Sequence, residues 1–269
     1  MGCIQSHVAL SERKNSPPMR PKAVVVDDDA ASASVIAKLL ARIGCEVSVC
    51  TDAERAVATS LDGDVDFVSL DLTMPALDGY QVLSLLRSHE HSRRLPSLPV
   101  ITITGKVSPE DRAASLSAGF AAHLGKPVLL TELRHALEVA LTLRGELYRT
   151  RYSVDQARIE ERLQVMLSRA NANRLGSVAG LALAVEQQGS EVLLQSLVDV
   201  YAGNTERAAD GVEPLLTLGD AIGAAHLCSL CRGFAAALAS APPEFERAAV
   251  LARAELDRVF YTLREQALA

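Results

Sequence analysis

Asp71 closes a short apolar run, Phe67-Val68-Ser69-Leu70, and is followed by two turn signals, Met74-Pro75 and Asp78-Gly79. An apolar run that stops on a carboxylate before such turns predicts a buried parallel strand, a short loop and a helix N-capped by Asp78. Ligands of open α/β sheets lie beyond the carboxyl ends of the strands, so Asp71 stands where a site would form. Three more runs end in polar groups. Lys22 to Val26 leads into Asp27, Asp28 and Asp29, Leu98 to Ile103 into Thr104 and Gly105, and Phe120 to Leu124 into Gly125, Lys126 and Pro127. The carboxylates of Asp27, Asp28 and Asp71, the Thr104 hydroxyl and the Lys126 ammonium would then converge on one edge of the sheet. Clustered carboxylates repel one another unless a cation is bound, and their hard oxygens suit a divalent ion such as Mg²⁺. Thr104 and Lys126 could then hold phosphoryl oxygens, and Asp71 could be the nucleophile.

The elements that must position these groups read as five β/α units. Strand one is Ala23 to Val26, strand two Glu46 to Cys50, and strand three ends at Asp71. Helix one carries Val35, Ile36, Leu39, Leu40 and Ile43 and stops at Gly44. Helix two runs from about Ala53 to Leu61, and helix three from about Tyr80 to Ser88. A polar loop follows from His89 to Pro96, with its two histidines read as solvated. Helix four starts near Ser108-Pro109 and ends at Gly119, and helix five holds Leu129, Leu133, Leu137 and Leu141 on one face. Cys45 and Cys50 read as packing residues.

Taken together, Val25-Val26-Asp27-Asp28, Asp71 with its Met-Pro and Asp-Gly, Thr104-Gly105 and Lys126-Pro127 resemble the receiver domain of two-component response regulators over residues 22–147. The resemblance implies a flavodoxin-like, doubly wound (βα)5 fold. It implies Asp71 as phospho-acceptor, Asp28 as a direct Mg²⁺ ligand, Asp27 as a ligand through water, and the Thr73 backbone carbonyl as a further ligand. Thr104 and Lys126 would contact the phosphoryl group. It also implies a sensor histidine kinase or a histidine phosphotransfer protein as phosphoryl donor. One departure is His123, which stands where the family usually has a Tyr or Phe rotamer switch. The standard switch is thereby put in question, but the phosphorylation is not.

The chain has 269 residues, 49% of them hydrophobic, and a net charge of −6. That length suffices for two domains, each with a core. The mild acidity argues against a general nucleic-acid binder. No apolar run approaches the roughly 20 residues of a membrane span, the longest being Val178 to Val185. Five cysteines without framework spacing suggest a reducing cytosol, so a cytoplasmic protein without membrane or nucleic-acid partners is expected.

Residues 1–21 lack periodicity and read as a disordered tail ending near Pro17-Pro18. The start, Met1-Gly2-Cys3, matches the N-myristoylation pattern with a neighbouring cysteine. The match is short enough to arise by chance, and we read it so. Residues 148–175 read as a linker helix with Ile159, Leu163, Met166 and Ala170 on one face. A signalling linker, a dimer contact, and part of the next domain all stay open for it. Its apolar face would pack onto the C-terminal helices.

From residue 176 to 269 the pattern is helical throughout. Leu193, Leu197, Val200 and Tyr201 share one face, and Leu251, Leu256, Val259 and Leu263 stripe the last helix after Pro242-Pro243. Gly219-Asp220 and, nine residues on, Ser229-Leu230-Cys231-Arg232-Gly233 resemble the histidine phosphotransfer (HPt) domain, a four-helix bundle whose pattern is Gly-Asp, then His-x-Leu-Lys-Gly. Here Arg232 holds the Lys position, Gly233 is kept, and Ser229 replaces the phosphorylated histidine. Pro214 should kink what the family has as one helix, and the segment between Gly233 and Pro242 is short. His226 lies three residues before Ser229, but Arg232 and Gly233 are i+3 and i+4 from Ser229 and frame that residue instead. Cys228 and Cys231 read as core rather than metal ligands.

Two function classes follow. In the first, a regulatory module, the receiver is phosphorylated on Asp71 and a degenerate HPt-like bundle binds another receiver or a kinase. In the alternative, a phosphorelay transferase, His226 passes phosphate on. A DNA-binding output is a poorer reading, because no basic recognition helix is visible. No independent enzyme is expected beyond self-phosphorylation and dephosphorylation of the receiver.

Overall fold

A computed structural model describes residues 20–61, 64–75, 77–150 and 174–268. The N-terminal tail with its Met1-Gly2-Cys3 start, and the linker-helix contacts Ile159, Leu163 and Met166, lie outside the described residues.

Short runs rich in Val and Ile form five parallel strands, β1 (Lys22–Val26), β2 (Glu46–Cys50), β3 (Phe67–Leu70), β4 (Val100–Thr104) and β5 (Ala122–Gly125), in the order β2-β1-β3-β4-β5. Every residue of β3 and β4 is buried. This is why these strands read as unbroken apolar runs rather than alternating ones: helices cover both faces of a parallel sheet. The helices are α1 (Ala30–Arg42), α2 (Ala53–Ser60), α3 (Gly79–Ser92), α4 (Pro109–Ala118) and α5 (Leu130–Thr150). One face of the sheet packs on α1 and α5 through Ile36, Leu40, Leu133 and Leu137. The other packs on α2 and α3 through Val57, Val82 and Leu86.

The helix starts follow the sequence signals. Asp29, Asp52, Asp78 and Ser108 each accept a first-turn backbone N–H, and Asp78–Gln81 and Ser108–Asp111 close capping boxes. Several details differ from expectation. Helix α3 continues through His89 and His91 to Ser92, because Glu90 and Arg87 form a buried ion pair (2.9 Å) that also holds Leu98 and so keeps this turn inside the fold. His89 is exposed as read, whereas His91 is half-buried against Tyr261. Val35 and Leu129 face solvent at 55% and 58% exposure, so the apolar stripes of α1 and α5 are narrower than the sequence suggests.

The C-terminal helices are α6 (Arg174–Tyr201), α7 (Thr205–Asp210), α8 (Glu213–Ile222), α9 (Ala225–Ala237) and α10 (Pro242–Leu268). Pro214 kinks nothing. It occupies the first turn of α8, where its missing N–H is harmless. The expected stripes hold, with Leu193, Leu197, Leu256, Val259 and Leu263 all buried. Gly189 lets α6 approach α10 closely, since a Cβ there would lie 2.8 Å from the Leu256 side chain.

The bundle does not keep its core to itself. Ala113 and Leu116 of α4, Ala121 before β5 and Leu143 of α5 belong to the same buried cluster as Val185, Leu197, Ala249 and Val250. The α4–β5–α5 side of the α/β unit is thus covered by α6 and α10.

Candidate functional site

The strand order puts the carboxyl ends of β1 and β3 side by side, with Val26 opposite Leu70. Asp27 and Asp71 each follow one of these strands, so both carboxylates emerge at the same edge. The Asp71 N–H donates to the Val26 carbonyl at 2.9 Å and fixes the pairing. Behind Asp71, Gly79 opens α3, where a Cβ would meet the Asp71 carbonyl oxygen at 2.6 Å and the Leu72 Cα at 2.9 Å. Only a glycine lets the helix start this close to the acid.

Asp27 is buried at 1% exposure and Asp71 at 8%, and Asp28 is exposed. These three offer one carboxylate oxygen each, all within 4.8 Å of one another. Asp27 accepts from the Asp29 N–H at 3.0 Å, from the Ser32 hydroxyl at 2.6 Å and from the Lys126 ammonium at 2.8 Å. Asp71 accepts from the Thr73 N–H at 3.2 Å and from Lys126 at 2.6 Å. Lys126 follows β5, joined to Pro127 by a cis peptide bond, and reaches across two strands. Burial would lower its pKa, but the bonds to Asp27 and Asp71 outweigh that and raise it. Lys126 is therefore a fixed cation between two acids. The carboxylate oxygens of Asp27, Asp28 and Asp71 are hard and anionic, and such a donor set fits Mg²⁺.

Thr104 ends β4 and is fully buried. Its Oγ1 accepts from the Lys106 N–H at 3.3 Å, and its carbonyl accepts from the Lys126 N–H at 2.8 Å. His123, at the centre of β5, is buried at 3% exposure. Its Nε2 lies 2.8 Å from the Lys106 carbonyl and its Nδ1 2.8 Å from the Ser115 hydroxyl. Burial lowers its pKa, and the Lys106 carbonyl facing Nε2 can only accept, so that nitrogen carries a proton. The five strand-end residues predicted to converge thus lie at neighbouring ends of β1, β3, β4 and β5, with His123 one layer below.

In the bundle, Ser229, Arg232 and Gly233 of α9 are exposed. The Arg232 guanidinium lies 4.0 Å from Asp220, which joins the Gly-Asp pair to the same face. His226 is half-buried, with its Nε2 shielded from solvent. Cys228 and Cys231 are buried, and burial pushes the Cys231 thiol up to about 12. Both are inert core residues rather than ligands or nucleophiles.

Sequence reasoning missed four residues. Ser32 bonds Asp27 from the third residue of α1, a place that any small polar residue could fill. Arg112 of α4, Tyr201 of α6 and Glu246 of α10 form a second cluster, in which the Arg112 guanidinium and the Tyr201 hydroxyl both donate to the Glu246 carboxylate. Their separations, 89 and 134 residues, leave no local signal.

Residues 23–138 match the response regulator receiver domain family. The chain is 33% identical over 125 residues to "Transcriptional regulatory protein PrrA" of Mycobacterium bovis, covering 46% of this chain and 52% of that protein. It is 30% identical over 138 residues to "Hybrid signal transduction histidine kinase L" of Dictyostelium discoideum, covering 50% of this chain and 8% of that protein. A solved receiver-domain structure from Clostridium thermocellum aligns with TM-score 0.42 at 25% identity, over 47% of this chain and 98% of that one. The chain spans about half the length of the regulator it matches. The family match ends at residue 138, ahead of α6.

Proposed function

We propose that this chain, whose residues 23–138 are a response regulator receiver domain of a two-component system, accepts a phosphoryl group on Asp71 and delivers its output through protein binding by the C-terminal helices. The observation that carries the first half is the convergence of Asp27, Asp28 and Asp71 around one point, with the Lys126 ammonium 2.6 Å from Asp71.

Receiver domains accept phosphoryl groups from histidine kinases or HPt proteins. A carboxylate oxygen of Asp71 would attack the phosphorus of a donor phosphohistidine. The O–P bond forms as the P–N bond breaks, and the leaving imidazole keeps the electron pair and takes a proton from solvent. Lys126 is positioned to neutralise charge that builds on the phosphoryl oxygens. Asp27, Asp28, Asp71 and the Thr73 carbonyl would hold Mg²⁺, which when bound supplies further charge neutralisation at those oxygens. Thr104 would turn its hydroxyl to the new phosphoryl group. The α4–β5–α5 face, with His123 in it, would shift in response.

The second half rests on α9. A phosphotransfer nucleophile must attack and leave at neutral pH, as imidazole does and a serine hydroxyl without a base does not. The exposed face carries Ser229, Arg232 and Gly233, whereas His226 is half-buried. This supports a degenerate HPt-like domain that docks a receiver or kinase without taking phosphate, with Arg232 available to pair with acids around a partner's site. The test of the whole reading is labelling from a phosphorylated donor. Asp71 should carry the label, Asp71→Asn should abolish it, and α9 should carry none.

A further inference from the structure

Asp27 is the most enclosed acid of the strand-end cluster, at 1% exposure against 8% for Asp71. What surrounds it decides what it can offer a cation. Asp29 caps α1 by accepting from the Ala31 N–H at 2.9 Å, so the helix begins directly after the run of acids. That start brings its third residue, the half-buried Ser32, back over the Asp27 carboxylate. The Ser32 hydroxyl donates to Asp27 Oδ2 at 2.6 Å, a short, charge-assisted bond.

An ionised carboxylate has about four lone-pair positions, two on each oxygen. On Asp27, Oδ2 accepts from both Ser32 and Lys126, at 2.6 and 2.8 Å, and Oδ1 accepts from the Asp29 N–H at 3.0 Å. Among the described residues this fills Oδ2 and leaves one position, on Oδ1. Asp71 differs. It accepts from the Thr73 N–H on Oδ1 and from Lys126 on Oδ2, which leaves a position on each oxygen. Asp27 therefore meets a cation, or water bound to one, through a single oxygen. A bidentate grip is closed to it as long as Ser32 stays bonded, and Lys126 alone would not close it.

Hard divalent cations differ in what they ask of such a group. Mg²⁺ demands a near-ideal octahedron, keeps several waters and uses one or two carboxylates, whereas Ca²⁺ takes about six to eight oxygens and accepts bidentate carboxylates. We infer that Ser32 is a positioning residue that sets the ion preference of the cluster: by closing Asp27 Oδ2 it favours Mg²⁺ and holds Ca²⁺ back. This inference rests on the proposed Mg²⁺-assisted phosphorylation and deepens it by assigning the choice of ion to a residue outside the ligand set.

The experiment uses the full chain without a phosphoryl donor. Melting temperature is followed against Mg²⁺ or Ca²⁺ concentration, each variant is referred to its own metal-free melt, and mass action gives an apparent dissociation constant for each ion. Ser32→Ala should weaken Mg²⁺ binding about tenfold, the lower range for losing a partner that orients a ligand. Ca²⁺ binding should weaken much less or strengthen, so the preference for Mg²⁺ narrows. Ser32→Thr keeps the hydroxyl and should keep the wild-type preference. Equal weakening of both ions in Ser32→Ala marks a purely structural role and overturns the inference, as does an unchanged preference. A narrowed preference in Ser32→Thr overturns it too. Labelling of the wild type from acetyl phosphate is measured in parallel. Ion preferences that shift as stated in a chain that takes no label support the role of Ser32 and sink the phosphorylation. A wild-type chain that binds neither ion sinks both.

Discussion

The Lys126 ammonium lies 2.6 Å from the Asp71 carboxylate and contributes the cation that lets Asp71 sit beside the buried Asp27. Lys126→Met should leave two neighbouring carboxylates facing each other. Because Lys126 is partly exposed, the loss should be about 1–3 kcal/mol, below that of a fully buried pair. Mg²⁺ should restore more stability to this variant than to the wild type, as read by thermal melts with and without the ion.

Chelating divalent cations should suppress labelling of Asp71, and Asp28→Ala should do the same at any practical Mg²⁺ concentration. Asp28 is the exposed member of the cluster, so this substitution should change the melting temperature little. Undiminished labelling of Asp28→Ala would exclude it as a ligand.

Gly79→Ala should destabilise the receiver by about 1–3 kcal/mol, the usual range for overpacking, because its Cβ would press on the Asp71 carbonyl. It should also slow labelling, since relief of the clash must move Asp71 or the start of α3. A variant with wild-type stability and labelling would show that this approach is less tight than the geometry gives.

Stability should depend on His123 below neutral pH. Burial first, then Arg112, lowers its pKa from 6.5, against the opposing effect of the Lys106 carbonyl. The unfolded chain therefore takes up a proton near pH 6.5 that the folded chain refuses. The stabilisation is complete above that pH and is lost as the pH falls through the folded pKa. Denaturant titrations from pH 7.5 down to about 5 should show this slope, and His123→Gln should flatten it.

When the chain is mixed with a separately phosphorylated receiver, α9 should take no label in an Asp71→Asn background. Ser229→His should recover transfer in part, because Arg232 and Gly233 share its exposed face. Transfer in the unmodified α9 that disappears with His226→Gln would favour the phosphorelay alternative.

The local pieces of the receiver were legible in its residues. Asp27, Asp71, Thr104 and Lys126 each end an apolar run, and a parallel strand buried on both faces writes itself as such a run. Asp78 and Ser108 announce their helices because an N-cap is a one-turn interaction. The same locality explains why the bundle's stripes at Leu193–Leu197 and Leu256–Leu263 could be read. What Pro214 would do could not be read, because a proline within a helical pattern is compatible with a kink or a fresh first turn. His91 looked solvated because the residues that cover it, Tyr261 and Glu265, come from the far end of the chain. Arg112 looked like any charged residue on an amphipathic helix until α6 and α10 brought Tyr201 and Glu246 to it. Hydrophobic periodicity says that a face must be buried but not against what. The chemistry at the strand ends was therefore present in the sequence, whereas the covering of the switch face depends on long-range packing that arises only in the folded chain.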